Sequence, residues 1–218
     1  MLYEAQFRNP AGAGKLIQAI RDMDLPELWI MEICGTHTMS IAKAGLRQIL
    51  PPHIHLISGP GCPVCVTPSG VMDEVLRISQ LPNVTITTYG DLLRVPGSVP
   101  GDNLQRRSAQ GADVRMVYSP MDSLDMAEQE PDREFIFLGV GFETTAPGTA
   151  IAVQEAKARG RKNFSLLSLL KRTEPAMRAI IESDDFNVSG FLCPGHVATI
   201  LGEEGFRFLA EEYGIPSV

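Results

Sequence analysis

Two cysteine motifs carry most of the chemistry that this chain of 218 residues can perform. Cys62 and Cys65 form a Cys-x-x-Cys pair inside the glycine- and proline-rich segment 59–65. Such a pair can close into a disulfide or bind a soft metal through two thiolates. Upstream, Cys34 is followed three residues later by His37, a pattern that suits a metal ligand or a nucleophile. The two motifs together predict a site where redox chemistry and metal chemistry meet.

The Cys62–Cys65 pair admits two interpretations. As half of a structural zinc site it needs two more ligands, and because the chain has no second Cys-x-x-Cys, these must come from Cys34, Cys193 or a histidine. As a reversible disulfide it needs no further ligand. Gly61 permits a close backbone approach in this loop, and the amides of the loop and of the following helix favour the thiolate form.

Cys34 follows an apolar run at residues 28–33 and precedes a predicted helix, whose dipole would stabilise its thiolate. The alternative is a buried core cysteine, which is a common fate of this residue type. His37 weighs against that alternative, and so does the intervening turn, where Gly35 offers an amide donor and Thr36 a hydroxyl. One open thiolate suits a metal shared with a partner, or with a ligand that supplies the remaining donors.

Two further motifs follow later strands. The segment GFETT at 141–145 resembles an anion-binding loop at the start of a helix, yet it has neither a Walker lysine nor G-x-G-x-x-G spacing. We therefore expect its polar side chains to orient a ligand in a cleft; they are Glu143, Thr144 and Thr145. Cys193 and His196 surround a Pro-Gly turn at another strand end, and we expect them to line the cleft rather than bind metal.

The composition is that of an ordinary globular protein, with 44% hydrophobic and 21% charged residues. The formal net charge of −7 disfavours a nucleic-acid partner, because no basic stripe is present to neutralise phosphates. The N-terminal residues contain no apolar core of signal-peptide length, and no later run approaches a membrane span. We therefore expect a cytoplasmic protein without membrane association, in a compartment where thiols stay reduced.

Strand-like apolar runs alternate with helix-like segments along the chain, which predicts mostly parallel sheets with helices on both faces. A Cys-x-x-His pattern after a strand occurs twice, at Cys34 and at Cys193. This echo favours two similar doubly wound α/β domains with an active cleft between them. We place the first domain at residues 1–122 and the second at 123–218. Because residues 215–218 look like the opening of a strand, we expect the second domain to be truncated on its C-terminal side.

Four motifs in order make the chain similar to the HypD family of [NiFe]-hydrogenase maturation proteins. They are CGTH at 34–37, GPGCPVC at 59–65, GFETTAPG at 141–148 and PGHV at 194–197. The resemblance covers essentially the whole chain and corresponds to the first two domains of the family.

The resemblance implies a scaffold that holds an iron atom while two cyanides and one carbon monoxide are attached, giving an Fe(CN)2CO precursor. It implies that Cys34 binds this iron jointly with the N-terminal cysteine of a small HypC-like chaperone, with His37 nearby. Cyanide and carbon monoxide favour low-spin ferrous iron, and a thiolate donor suits such a centre. The other residues expected to contact bound groups are Gly35, Thr36, Gly61, Glu143, Thr144, Thr145 and His196.

The resemblance also implies that Cys62 and Cys65 act as a thiol–disulfide couple that supplies electrons during cyanide attachment from a HypE-like donor. Family members continue into a C-terminal region whose cysteines hold a [4Fe-4S] cluster, and we expect that cluster only in the full-length protein. On this interpretation the chain is a redox-active assembly scaffold rather than a turnover enzyme. Two alternatives stay open from the residues alone: a free-standing thiol–disulfide oxidoreductase and a zinc-binding structural module.

Overall fold

A computed structural model describes residues 9–218, in which helices and strands alternate. The strands are β1 (Leu28–Glu32), β2 (Ile54–Ser58), β3 (Val84–Thr88), β4 (Val114–Met116), β5 (Glu134–Gly141), β6 (Phe164–Leu170) and β7 (Gly190–Leu192). The helices are α1 (Pro10–Arg21), α2 (Gly35–Ala44), α3 (Leu46–Ile49), α4 (Ser69–Ile78), α5 (Leu104–Ala109), α6 (Pro120–Gln129), α7 (Ala146–Ala158), α8 (Thr173–Ile181), α9 (Gly195–Leu201) and α10 (Arg207–Glu211). Short 3-10 turns lie at Leu92–Arg94 and Glu203–Gly205.

The chain forms two compact units, each around its own parallel sheet. Among the residues that the structure describes, unit 1 comprises 9–61 together with Met177–Val218, and unit 2 comprises Cys62–Ala176. The sheet of unit 1 has the strand order β2-β1-β7, and the sheet of unit 2 has the order β4-β3-β5-β6. The predicted fold class, α/β with two similar domains built on parallel sheets, is confirmed.

The division between the units lies elsewhere than the predicted 122/123 boundary, which falls inside α6 in the middle of unit 2. The physical reason is a long-range pairing that a contiguous division cannot represent. Strand β7 returns to unit 1 and pairs in parallel with β1, with Ile30 opposite Gly190 and Glu32 opposite Leu192. The two Cys-x-x-His motifs consequently follow neighbouring strands of one sheet instead of belonging to separate domains.

In unit 2, helices cover both faces of the sheet, and β5 has buried side chains on each face. On one face, Leu138 and Val140 join a buried cluster that includes Met72 and Leu76 of α4. On the other face lie α6 and α7, which pack against β5 and β6. Side chains of successive strand residues point to opposite sides of the sheet, so the buried residues of β5 contact helices on both faces. The unit is therefore doubly wound.

Local signals in the sequence set the ends of several helices. Before α6, the Ser119 hydroxyl accepts from the N–H of Met121 while the Asp122 carboxylate accepts from the N–H of Ser119, which makes a capping box. Pro120 occupies the first turn, where its missing N–H costs nothing.

Among residues 9–218, no helix is both long and apolar enough to span a membrane.

Candidate functional site

The Cys34 motif lies at the carboxyl end of β1, where the strand turns directly into α2. Cys34 has an extended backbone (φ −163°, ψ 127°) and is the residue that immediately precedes the helix. Its carbonyl accepts hydrogen bonds from the N–H groups of His37 (2.9 Å) and Thr38 (3.2 Å). The sulfur takes no part in capping the helix, and the residue is partly exposed. The backbone thus holds the turn, while the thiol is not used to do so.

His37 is partly buried in the first turn of α2. Its Nδ1 atom is buried and has no hydrogen-bond partner within residues 9–218. Buried ring nitrogens ordinarily have a hydrogen-bond partner, so the unpaired Nδ1 of His37 is available to bond to a group bound at this turn. Gly35 and Thr36, which complete the predicted CGTH motif, are exposed on the same turn.

The glycine-rich segment that follows β2 packs closely on this turn inside unit 1. A Cβ atom placed on Gly61 would lie 2.7 Å from the nitrogen of Gly35 and 3.2 Å from the carbonyl carbon of Cys34. Both of these are backbone atoms, which cannot swing aside as a flexible side chain does. The predicted close approach at Gly61 therefore has a definite location against the Cys34–Gly35 peptide.

A carboxyl group that the sequence analysis did not single out lies beneath the Cys34 turn. Glu32, the last residue of β1, is 1% exposed. It accepts hydrogen bonds from the hydroxyls of Thr38 and Ser58, at 2.8 and 2.7 Å. The available signal was an acidic residue at the end of an otherwise apolar strand, LWIME. Buried acids are uncommon unless they are paired, so this position needs a reason.

The Cys62–Cys65 pair lies at the start of unit 2, and both thiols are free. The N–H of Cys65 donates to the sulfur of Cys62 at 3.2 Å. The hydrogen bond with Cys62 is the main reason that the pKa of the Cys65 thiol is raised, with burial and the nearby Cys62 charge adding to it. Helix α4 begins only at Ser69 and follows Pro68, so its N-terminus is further from the pair than expected.

The GFETT segment divides into two roles in unit 2. Both carboxylate oxygens of Glu143 accept from Thr173, from its N–H at 2.6 Å and from its hydroxyl at 2.8 Å. The Glu143 carboxylate is thus committed to the start of α8. Thr145 immediately precedes α7, and both it and the exposed Thr144 line a cavity of about 440 Å³.

That cavity lies where β3, β4 and β5 end, which is the edge at which open α/β sheets ordinarily bind ligands. Its lining includes Pro63 and Val64 of the Cys-x-x-Cys loop together with Thr144 and Thr145. The structure therefore brings these two predicted motifs to one cavity within unit 2. Tyr89 and Tyr118 also line it, and burial is the main cause of a raised pKa of Tyr89.

Cys193 and His196 repeat the Cys-x-x-His pattern in a different environment. Cys193 is buried, and burial raises the pKa of its thiol to about 11, although a hydrogen bond with Ser217 acts in the opposite direction. His196 is exposed in the first turn of α9. A thiol of this pKa stays protonated at neutral pH, and the thiolate is the form that binds metals.

The comparisons with known proteins agree with the motifs. Residues 12–218 match the family model described as "HypD: Hydrogenase formation hypA family". The chain belongs to the HypD family. It is 46% identical to the hydrogenase maturation factor HypD of Rhizobium leguminosarum bv. viciae, 43% identical to HypD2 of Bradyrhizobium diazoefficiens and 42% identical to HypD of Escherichia coli K12.

These alignments include the whole of this chain but only 58%, 59% and 60% of the respective HypD-family relatives. The chain thus spans somewhat under two thirds of the length of the relatives it matches. The family membership covers both units, and with them all four cysteines of the chain.

Proposed function

We propose that this chain acts in hydrogenase maturation as a scaffold on which an Fe(CN)2CO group is assembled, with Cys34 as its thiolate ligand to the iron. The iron is the cargo of the scaffold. The observation that carries the proposal is the Cys34 turn, where a partly exposed thiol that caps nothing lies three residues before a histidine with an unpaired buried Nδ1. Cyanide and carbon monoxide favour low-spin ferrous iron, for which a thiolate is a suitable additional donor.

The remaining iron ligands are proposed to come from outside the chain. Within the part of the chain that the structure describes, no group of three or more His, Cys, Asp or Glu side chains could hold a metal ion. A HypC-like chaperone that contributes its own cysteine, and a HypE-like donor of cyanide, would complete the coordination. His37 is available to orient or protonate a group bound beside Cys34, because its Nδ1 has no competing partner in residues 9–218.

Cys62 and Cys65 are proposed as the redox couple for cyanide attachment. Closing the pair forms one S–S bond and releases two electrons and two protons. These would balance the reductive release of cyanide from a donor that carries it on sulfur, in which the S–C bond breaks to give a thiol and hydrogen cyanide. Two features support this role: Cys65 is exposed, and the N–H of Cys65 donates to the Cys62 sulfur. The cavity lined by Pro63, Val64 and the GFETT threonines gives a bound group a place beside the pair within unit 2.

A second candidate function is a free-standing thiol–disulfide oxidoreductase. The exposure of Cys65 favours it, because an exposed thiol of a Cys-x-x-Cys pair can meet external disulfides. This alternative makes Cys34 dispensable, whereas the scaffold proposal makes it essential. The two therefore differ in what happens when Cys34 is replaced.

A metal assay beside a thiol titration tests the proposal. The chain would be produced anaerobically with a HypC-like chaperone and a HypE-like cyanide donor, then analysed for iron, zinc, reversible disulfide and infrared bands of bound cyanide and carbon monoxide. We expect iron with those bands and a Cys62–Cys65 pair that oxidises reversibly. Stoichiometric zinc whose removal unfolds the chain would favour a structural module instead. Turnover of generic disulfides that survives Cys34→Ala would favour the oxidoreductase.

A further inference from the structure

Glu32 places a carboxyl group at a buried position of β1, where an apolar side chain could be buried at a lower cost in free energy. Burying a carboxylate removes it from water, and the cost is offset only by good partners. Arg47 is the nearest cation, but its Nη2 is 3.9 Å from Glu32 Oε1 and its side chain is 40% exposed. The close partners are instead two neutral hydroxyls.

Those two hydroxyls lie on the two segments that surround Cys34. Thr38 belongs to α2, four residues after Cys34, and its hydroxyl is 2.8 Å from both oxygens of Glu32. Ser58 is the last residue of β2, and its hydroxyl donates to Glu32 Oε1 at 2.7 Å. A backbone bond adds to this connection, because the N–H of Gly59 donates to the Glu32 carbonyl at 2.9 Å.

The Glu32 side chain thus holds the two chain segments that lie beside Cys34. On one side it anchors the helix that begins at the Cys34 turn. On the other it anchors the start of the segment that reaches Gly61, whose α-carbon packs on the Cys34–Gly35 peptide. Arg47 reinforces the second anchor by donating to the Ser58 hydroxyl at 3.2 Å.

Glu32 cannot easily be a metal ligand itself. It is 1% exposed, and both its oxygens already accept hydrogen bonds from side chains of unit 1. Its effect on a bound group would therefore pass through the backbone that carries Cys34.

We propose that Glu32 is a positioning residue for Cys34, holding its turn between α2 and the glycine-rich segment so that the thiol is presented in one orientation. The inference rests on the proposed function for its purpose, since a fixed thiol matters most if Cys34 binds iron. The structural part of the inference is that a buried carboxyl group holds the Cys34 turn in place, and this part can be tested without any metal.

The test measures alkylation of each cysteine in the metal-free reduced chain by mass mapping. Losing a hydrogen bond to a charged group costs about 1.5–3 kcal/mol, so the open population of the turn should rise roughly tenfold or more in Glu32→Ala. Alkylation of Cys34, which is partly exposed in the closed turn, should then become more than about threefold faster. Alkylation of Cys65 should change by less than about twofold, because Cys65 is exposed and lies in unit 2, beyond the segment that Glu32 anchors. Glu32→Gln should restore most of the wild-type rate, since an amide of the same shape can still bond both hydroxyls.

The matched control is Glu27→Ala, which removes the same chemical group just before the opposite end of β1. Glu27 is 65% exposed and pairs with His55 at 2.9 Å, and we expect no selective change at Cys34. Thr38→Val serves if Glu32→Ala does not fold, because it removes one donor and leaves the carboxyl in place. It should also accelerate alkylation of Cys34 selectively.

Three outcomes would overturn the inference: an unchanged alkylation rate of Cys34 in folded Glu32→Ala, an equal acceleration at Cys65, or no rescue by glutamine. Iron binding is measured separately on the same variants. Wild-type chain that binds no iron through Cys34 would count against the proposed function, and the alkylation result would still decide whether Glu32 braces the turn.

Discussion

Cys34 and Cys193 follow neighbouring parallel strands of one sheet, and each precedes a helix and a histidine three residues later. Cys34 is partly exposed, while Cys193 is buried with a thiol pKa raised to about 11. The residues two positions earlier differ as well: Glu32 is bonded to hydroxyls of two segments, whereas Phe191 is a buried apolar side chain. The same motif therefore gives an available thiol in one strand and a core residue in the next.

The difference shows that spacing alone does not define a site in this fold. A strand end that leads into a helix places the cysteine in both cases, although Cys34 directly precedes its helix whereas Pro194 lies between Cys193 and the other helix. What surrounds the sulfur then decides its chemistry, since burial favours the neutral thiol and partial exposure leaves the thiolate accessible.

The largest effect that should separate the two turns comes from adding a methyl group beside each. In Gly61→Ala, the new Cβ would lie 2.7 Å from the Gly35 nitrogen, so we expect a loss of about 1–3 kcal/mol in the free energy of unfolding. In Gly195→Ala, the new Cβ meets nothing within 4 Å, so the change should stay within about 1 kcal/mol.

Urea denaturation of both variants measures this difference. Gly35→Ala is a further control, because its Cβ would meet only the Gly61 carbonyl oxygen, at 3.9 Å. Equal unfolding free energies for Gly61→Ala and Gly195→Ala would show that the backbone contact at Cys34 is not tight.

A smaller effect should reveal the burial of Cys193 through the pH dependence of stability. The folded-state pKa of Cys193 is raised to about 11, so its neutral thiol stabilises the fold below the unfolded value of about 8.5. That contribution is lost as pH rises from about 8.5 to about 11, and roughly 2 kcal/mol of it is lost between pH 8 and pH 10.5.

The measurement is the unfolding free energy of wild type and Cys193→Ala at pH 8 and pH 10.5. The pH dependence should be shallower in Cys193→Ala than in wild type. Parallel curves for the two proteins would mean that burial of Cys193 has no energetic consequence.

The smallest expected effect concerns Cys65, whose pKa is raised chiefly by a neighbouring thiol rather than by burial. In Cys62→Ala this hydrogen bond is lost, so the pKa of Cys65 should fall and its alkylation at pH 8 should become about twofold faster. Alkylation of Cys193 should stay slow in the same sample, because its protection comes from burial. A Cys65 rate that does not respond would indicate that the two thiols do not interact.

The sequence predicted individual elements better than their arrangement. The strands expected before Cys34 and before Cys193 both form, because local pattern largely determines such elements. The pairing of β1 with β7 was not predictable, since it joins segments about 160 residues apart, as in the bond between the Trp29 N–H and the Ser189 hydroxyl. Because of this pairing, unit 1 consists of two separate segments of the chain rather than one continuous segment.

The same limit applies to the site. The cysteines, His37 and the close approach at Gly61 follow from residue type and spacing. The roles of Glu32 and Glu143 depend on Thr38, Ser58 and Thr173, and only the folded chain shows which hydroxyls a carboxylate meets.

The proposal that Cys34 holds iron is tested most directly by infrared spectroscopy of paired serine variants. Wild type, Cys34→Ser and Cys193→Ser would be produced anaerobically with the HypC-like and HypE-like partners, and their spectra compared at equal protein concentration. We expect the cyanide and carbon monoxide bands in wild type and Cys193→Ser and their loss in Cys34→Ser, with all three proteins folded. Undiminished bands in Cys34→Ser, or their loss only in Cys193→Ser, would contradict the assignment of Cys34 as the iron ligand.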